Sequence, residues 1–235
     1  MRNPPAVTIR WKFDSGPILP LIPLSAAIAG IIRGRYGFAA TAVLLGLCLV
    51  VSIFAILRGH ASRRGDWFLV AAYLCCFGGD RFLAGHGGGE LRFLAGVAMF
   101  GLAHLNLLGL MLCNGRIHKW FLAIFTAFLL AYFILFLLPH GGVALPVRIA
   151  VLIYLLLSSL TLSAAMGLRL AIPAKTLFVG AVSLLIFSDL TISFKEFLHW
   201  EKLNFLLMPT YWFFLVFMCA GMCLKQTGGN RAKME

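Results

Sequence analysis

The chain has 235 residues, of which 61% are hydrophobic and 12% are charged. Its mean hydropathy of +0.96 excludes a soluble domain with a polar shell, since such domains carry about 25% charged residues. We therefore expect an integral membrane protein with an all-α fold, formed as a single transmembrane domain over residues 1–235.

Eight apolar stretches approach the length of a transmembrane helix, which needs roughly 20 residues. The first is the weakest, because Pro20 and Pro23 lie in its apolar run and favour a kink. Residues 1–16 form a polar N-terminal segment, and residues 225–235 form a polar tail that we expect to be disordered. We predict a polytopic bundle of about eight helices, at 17–33, 37–57, 67–84, 91–113, 119–138, 143–167, 174–194 and 203–224.

The Lys and Arg residues are unevenly shared between the loops on the two sides of the predicted bundle. The side that holds the N-terminus has most of them, including Arg58, Arg116 and Lys225. The positive-inside rule then predicts that both termini are cytoplasmic. We interpret the net charge of +12 as a signal of topology and of contact with anionic lipid headgroups, and we expect no nucleic acid partner.

The cysteines do not indicate a metal site. There are six, and none belongs to a pair of CxxC motifs. We interpret them as small buried hydrophobic residues, and we expect neither a metal nor a cofactor.

Polar side chains within the apolar spans are informative, because lipid penalises them unless they face other helices or a wet cavity. Such residues include Asp80 in span three, His104 in span four, Asp189 in span seven and Tyr211 in span eight. At a rise of about 1.5 Å per residue, both aspartates lie roughly 20 Å from the cytoplasmic ends of their helices. In a core of about 30 Å, the aspartates and Tyr211 fall in the outer half and His104 falls nearer the middle. We predict that one polar pocket contains all four.

Each of these residues also has a structural alternative. The aspartates can pair with Arg81 or Lys195 among the headgroups, and a lone histidine on an apolar helix is often a packing residue. Span six carries Tyr154 and a run of hydroxyl residues from Ser158 to Ser163. For that run we favour a structural role, since Ser and Thr commonly bond back to their own helix.

Four motifs carry a resemblance to a known family. They are "GGDRFLAG" around Asp80, "FGLAH" ending at His104, "FSDLTISF" around Asp189 and "TYW" around Tyr211. With them the chain resembles the YhhN family of eight-helix membrane proteins, whose characterised animal members are lysoplasmalogenases. The resemblance implies hydrolysis of the vinyl ether bond of a lysoplasmalogen or a related lysolipid, which gives a fatty aldehyde and a glycerophospho-headgroup.

The resemblance also implies catalytic roles for Asp80, His104, Asp189 and Tyr211, which match family residues one by one. Vinyl ether hydrolysis begins with protonation of an alkene carbon, and water then captures the oxocarbenium ion, as in glycoside cleavage by two carboxyl groups. We assign the general acid to Asp189 and the ionised base or cation stabiliser to Asp80, and the reverse assignment stays open. His104 would orient the water or an aspartate, and Tyr211 would bond the substrate oxygen.

Two departures from the family pattern favour an alternative. Leu215 stands where the family usually has a glutamine, and the first span lacks the family's lysine. Loss of a polar residue removes a hydrogen bond from a charged pocket, so the alternative is a non-catalytic lipid-binding or accessory subunit. A transporter that uses the aspartates as a proton relay is a third hypothesis. For the first two we expect a lysophospholipid substrate or a bound lipid as partner, in the bacterial inner (cytoplasmic) membrane. Protein partners stay open.

Overall fold

The computed structural model describes residues 18–34, 37–58, 64–84, 89–139 and 144–231, with side chains as far as Gln226. The predicted polar segment at residues 1–16 lies outside them. The described chain contains no strand, which confirms the all-α prediction. Eight helices follow one another: α1 (Leu21–Ile32), α2 (Phe38–Arg58), α3 (Trp67–Leu83), α4 (Glu90–Asn114), α5 (Lys119–Tyr132), α6 (Leu145–Met166), α7 (Ile172–Leu198) and α8 (Asn204–Arg231).

Three short segments extend these helices. A 3-10 turn, Arg64–Asp66, leads into α3, and another, Glu201–Leu203, leads into α8. At its end α5 continues into a π-helical turn, Phe133–Leu137. Single π turns inside α-helices are rare and often lie at functional sites.

Six of the helices are long and apolar enough to cross a membrane: α2, α4, α5 with its π turn, α6, α7 and α8. These helices confirm the predicted membrane helix bundle. The first span differs from the prediction, because α1 has only 12 residues and is about 18 Å long. Pro20 stands at its N-cap and Pro23 in its first turn. Backbone N–H groups in a first turn have no partner within the helix, so these prolines cost α1 no hydrogen bond.

The helix ends meet as in an antiparallel bundle. At one end of the molecule the start of α3 meets the end of α8, where Asp66 contacts Lys225. At the opposite end the last turn of α3 meets α8 again, where Asp80 contacts Tyr211. Helices α3 and α8 therefore run in opposite directions.

The loop after α4 and the loop after α6 touch along their backbones. Gly115 and Leu168 form an isolated antiparallel bridge, and Arg116 N–H donates to the Gly167 carbonyl at 3.1 Å. A Cβ atom on Gly167 would lie 1.6 Å from the Arg116 carbonyl oxygen. Glycine is therefore required at 167, and this contact holds the ends of α4 and α6 together.

Helix α8 forms the centre of the core. Its Trp212 is 2% exposed and donates from Nε1 to Thr41 Oγ1 of α2 at 3.0 Å. Tyr73 of α3 donates its hydroxyl to the Leu215 carbonyl oxygen at 2.9 Å. The Leu215 side chain itself is completely buried in the apolar core. These contacts tie α2 and α3 to the central helix.

A buried polar cluster joins α8 to the turn before α3. Asp66 is completely buried, and its carboxylate contacts Lys225 Nζ and accepts a hydrogen bond from Gln226 Nε2 at 2.7 Å. Helix α8 continues to Arg231, where the sequence predicted a disordered tail from residue 225. Residues 232–235 lie outside the described chain. The partner of this tail segment is an acid far away in sequence, which local composition does not show.

Removal of the Asp66 carboxylate is predicted to destabilise the bundle. Asp66→Asn leaves the buried Lys225 charge without its counter-ion, and we expect the free energy of unfolding to fall by about 3–5 kcal/mol. The measurement is a denaturant titration of the purified protein in mixed micelles, followed by circular dichroism. Glu196→Gln is the control, since Glu196 pairs with Lys195 at the surface, where a pair contributes roughly 0–1 kcal/mol. Equal losses in the two variants would contradict the prediction.

Candidate active site

Asp189 lies where three helices meet. Its Oδ2 atom accepts a hydrogen bond from the Tyr154 hydroxyl of α6 at 2.6 Å. His104 Nε2 of α4 lies 3.6 Å from the same oxygen, with the His104 side chain fully buried and the Asp189 side chain 16% exposed. The carboxyl group therefore has one hydrogen-bonded neighbour, Tyr154, and one close neighbour, His104. Its side chain is still partly exposed.

The hydrogen-bond network indicates which His104 nitrogen carries the proton. Ser158 Oγ donates to the Tyr154 carbonyl at 3.0 Å and lies 3.4 Å from His104 Nε2. Because the Ser158 proton is already used, Nε2 is assigned as the protonated nitrogen and faces the carboxylate. Nδ1 is buried and has no hydrogen-bond partner among the described residues. The ring packs edge-on against Tyr154 at 5.1 Å, which sets its orientation.

A second aspartate and tyrosine pair lies nearby. The Tyr211 hydroxyl donates to Asp80 Oδ2 at 2.9 Å; Tyr211 is 5% exposed and Asp80 is half-buried. Phe100 of α4 packs edge-on against the Tyr211 ring at 6.0 Å.

Neither aspartate forms the headgroup ion pair considered as an alternative. Within the described chain, Asp80 contacts Tyr211 and not Arg81. Lys195 pairs with its neighbour Glu196 at 3.9 Å. The partners of both aspartates are therefore side chains inside the bundle.

A cavity of about 60 Å³ lies between helices α3 to α7, lined by residues from Leu83 to Phe197. A volume of this size holds a few water molecules or a slender part of a lipid. Its wall is mainly apolar, and its polar members are Tyr132, Tyr154, Ser158, Asp189 and Ser193. Asp189 is the single acid of this wall.

The four predicted site residues thus fall into two neighbouring groups. Asp189 lines the cavity, with His104 directly behind it. The Asp80 and Tyr211 pair does not line the cavity. Phe100 lines it and contacts Tyr211, so the second pair lies beside the cavity wall and behind this ring.

Sequence analysis gave no site role to Tyr154, Tyr132 or Ser193, which also line the cavity. The sequence did contain one signal for some of these residues, the spacing of polar side chains at one helical turn. Tyr154 and Ser158 are four residues apart, as are Asp189 and Ser193, so each pair shares one helix face. In the described part of the chain no group of three His, Cys, Asp or Glu side chains could hold a metal.

A double-mutant cycle tests the second pair. We expect Tyr211→Phe to lower the free energy of unfolding by about 1–3 kcal/mol, because it leaves a half-buried carboxyl without its donor. In an Asp80→Asn background the same change should cost clearly less, since the two residues share one interaction. Denaturant titration in micelles gives the four values. Strictly additive losses would show that the pair does not interact in the folded protein.

Comparison with protein families matches residues 36–222, most of the chain, to the model of the YhhN family. Comparisons with curated proteins and with solved structures gave no match.

Proposed function

Because the chain belongs to the YhhN family, we propose that it is a membrane-embedded hydrolase of the vinyl ether bond of lysoplasmalogens or related lysolipids. The products are a fatty aldehyde and a glycerophospho-headgroup. The proposed location is the inner membrane of a bacterium, with both termini in the cytoplasm and the cavity in the outer half of the bilayer.

One observation carries the proposal: an acid stands in the wall of an apolar cavity, between a tyrosine and a histidine. An apolar cavity suits a lipid chain, and a few convergent polar groups suit its reacting end. The reaction needs a proton donor at a carbon atom, and a carboxylic acid beside the alkene supplies it.

The steps follow from these groups. Asp189 transfers its proton to the alkene carbon that is not bonded to oxygen, and the adjacent carbon and ether oxygen share the positive charge. Water adds to the carbon bonded to the ether oxygen, while the Asp189 carboxylate takes the proton that the water releases. The resulting hemiacetal loses the headgroup alcohol and becomes the aldehyde. One carboxyl group thus acts first as acid and then as base, as the acid residue does in retaining glycosidases.

The neighbouring side chains assist Asp189. Tyr154 and His104 hold the carboxylate in one orientation and stabilise its charge after proton transfer. Asp80 is the second carboxyl group, held by Tyr211 beside the cavity wall; in its ionised form its negative charge would stabilise the cation. Tyr211, which sequence analysis assigned to the substrate oxygen, instead serves to hold Asp80.

Leu215, which stands where the family usually has a glutamine, does not line the cavity. Leu215 lies in the core of α8 and is absent from the cavity wall. A glutamine at that position is therefore not needed to complete the lining described above, which supports retained catalysis.

A lipid-binding subunit without activity is the second candidate. The mainly apolar wall favours it, as does the position of Asp80 and Tyr211 outside that wall. Such a protein would hold a lysolipid in the same cavity and leave it intact.

We expect the purified protein in detergent to release fatty aldehyde from a lysoplasmalogen. Asp189→Asn should lower the rate by at least about 100-fold, the usual scale of general acid–base catalysis, and Asp80→Asn should also abolish detectable turnover. Glu196→Gln is the matched control, because it removes an exposed acid from the same helix as Asp189. Release that persists in Asp189→Asn would refute the mechanism. A folded wild type that binds lysolipid and releases no aldehyde would favour the accessory subunit.

A further inference from the structure

A second polar feature of the cavity has no role in the steps above. Tyr132 and Ser193 both line the cavity, and their hydroxyl oxygens are 2.5 Å apart. Tyr132 is the last residue of α5 before the π turn, and Ser193 lies one helical turn beyond Asp189 on α7. The hydroxyl pair and the acid therefore share one face of α7.

The donors and acceptors of this pair can be counted. Ser193 Oγ donates its single proton to the Leu190 carbonyl oxygen at 2.9 Å. The proton between the two hydroxyl groups must then come from Tyr132. Both protons are used within the protein, and only oxygen lone pairs remain. The pair can accept a hydrogen bond from a ligand, and it has none to donate.

We propose that Tyr132 and Ser193 form a subsite for a hydroxyl donor of the ligand, one turn away from Asp189. Under the proposed function, on which this inference rests, that donor is the free hydroxyl of the glycerol carbon next to the ether-bearing carbon. One helical turn is about 5.4 Å, a separation that suits the five bonds between the alkene carbon that takes the proton and this hydroxyl oxygen.

The same subsite discriminates against lipids with a second chain. An ester at this glycerol position has no O–H, so its oxygen atoms would face only acceptors and leave a buried polar contact unmade. Selection of lysolipids over two-chain lipids thus follows from hydrogen bonding at this subsite.

The test measures binding and needs no turnover. The probes are a lysolipid with a saturated ether, which cannot react, and the same lipid lacking the glycerol hydroxyl. We expect the wild type in detergent to bind the hydroxyl lipid about tenfold more tightly, the factor that one hydrogen bond of ordinary strength supplies.

The double variant Tyr132→Phe/Ser193→Ala removes both oxygens and should bind the two lipids equally. Replacement of both partners by apolar groups is close to neutral for stability, and the aromatic ring retains its packing against Phe194. Thr126→Val is the matched control, since Thr126 of α5 forms a hydroxyl pair with Ser159 outside the cavity wall. It should retain the wild-type preference.

The outcomes separate this inference from the proposed function. A tenfold preference that the double variant loses and Thr126→Val keeps supports the subsite, even if no aldehyde is released from a vinyl ether. Equal binding of the two lipids by the wild type, or a preference that survives in the double variant, overturns the subsite even if aldehyde is released. Failure to bind either lipid overturns both.

Discussion

An acid buried among membrane helices must be satisfied by a side chain of the protein, because hydrocarbon supplies no hydrogen-bond partner. Three aspartates of this bundle obey that constraint through contacts between helices or with an interhelical turn. Asp66 contacts the end of α8, Asp80 contacts α8 near its start, and Asp189 contacts α6 and lies beside α4. Each contact joins segments distant in sequence and so specifies how the helices are arranged.

Two of these contacts act on α8 from opposite ends. Asp66 contacts Lys225 near the end of the helix, and Asp80 contacts Tyr211 near its start. Between them the apolar surface of α8 packs mainly against α7 and α2. The 14 residues from Asp66 to Asp80 separate the two contacts by roughly 20 Å along α3.

The cavity combines an apolar wall with two small polar groups whose hydrogen-bond capacities differ. At Asp189 a tyrosine donates to the carboxyl group and a histidine lies 3.6 Å away, so these neighbours can stabilise the negative charge that proton transfer leaves. At Tyr132 and Ser193 the protons are used internally, so the pair presents only acceptors. The two polar groups of the cavity therefore differ in chemistry. Asp189 suits acid and base chemistry, and the Tyr132–Ser193 pair can accept a hydrogen bond from a ligand hydroxyl group.

The sequence by itself determined the helices and the polar residues within them. Hydrocarbon requires a long apolar run for each span, so predicted limits such as 91–113 lie within one residue of the ends of α4. The same penalty on polar groups made His104, Asp80 and Asp189 stand out. The tertiary structure alone decided which partner each acid takes, that Asp189 lines the cavity while Asp80 does not, and that α8 extends past residue 225. These features depend on contacts between helices that are far apart in the chain. The sequence does not show them, because periodicity and composition describe only the helix to which a residue belongs.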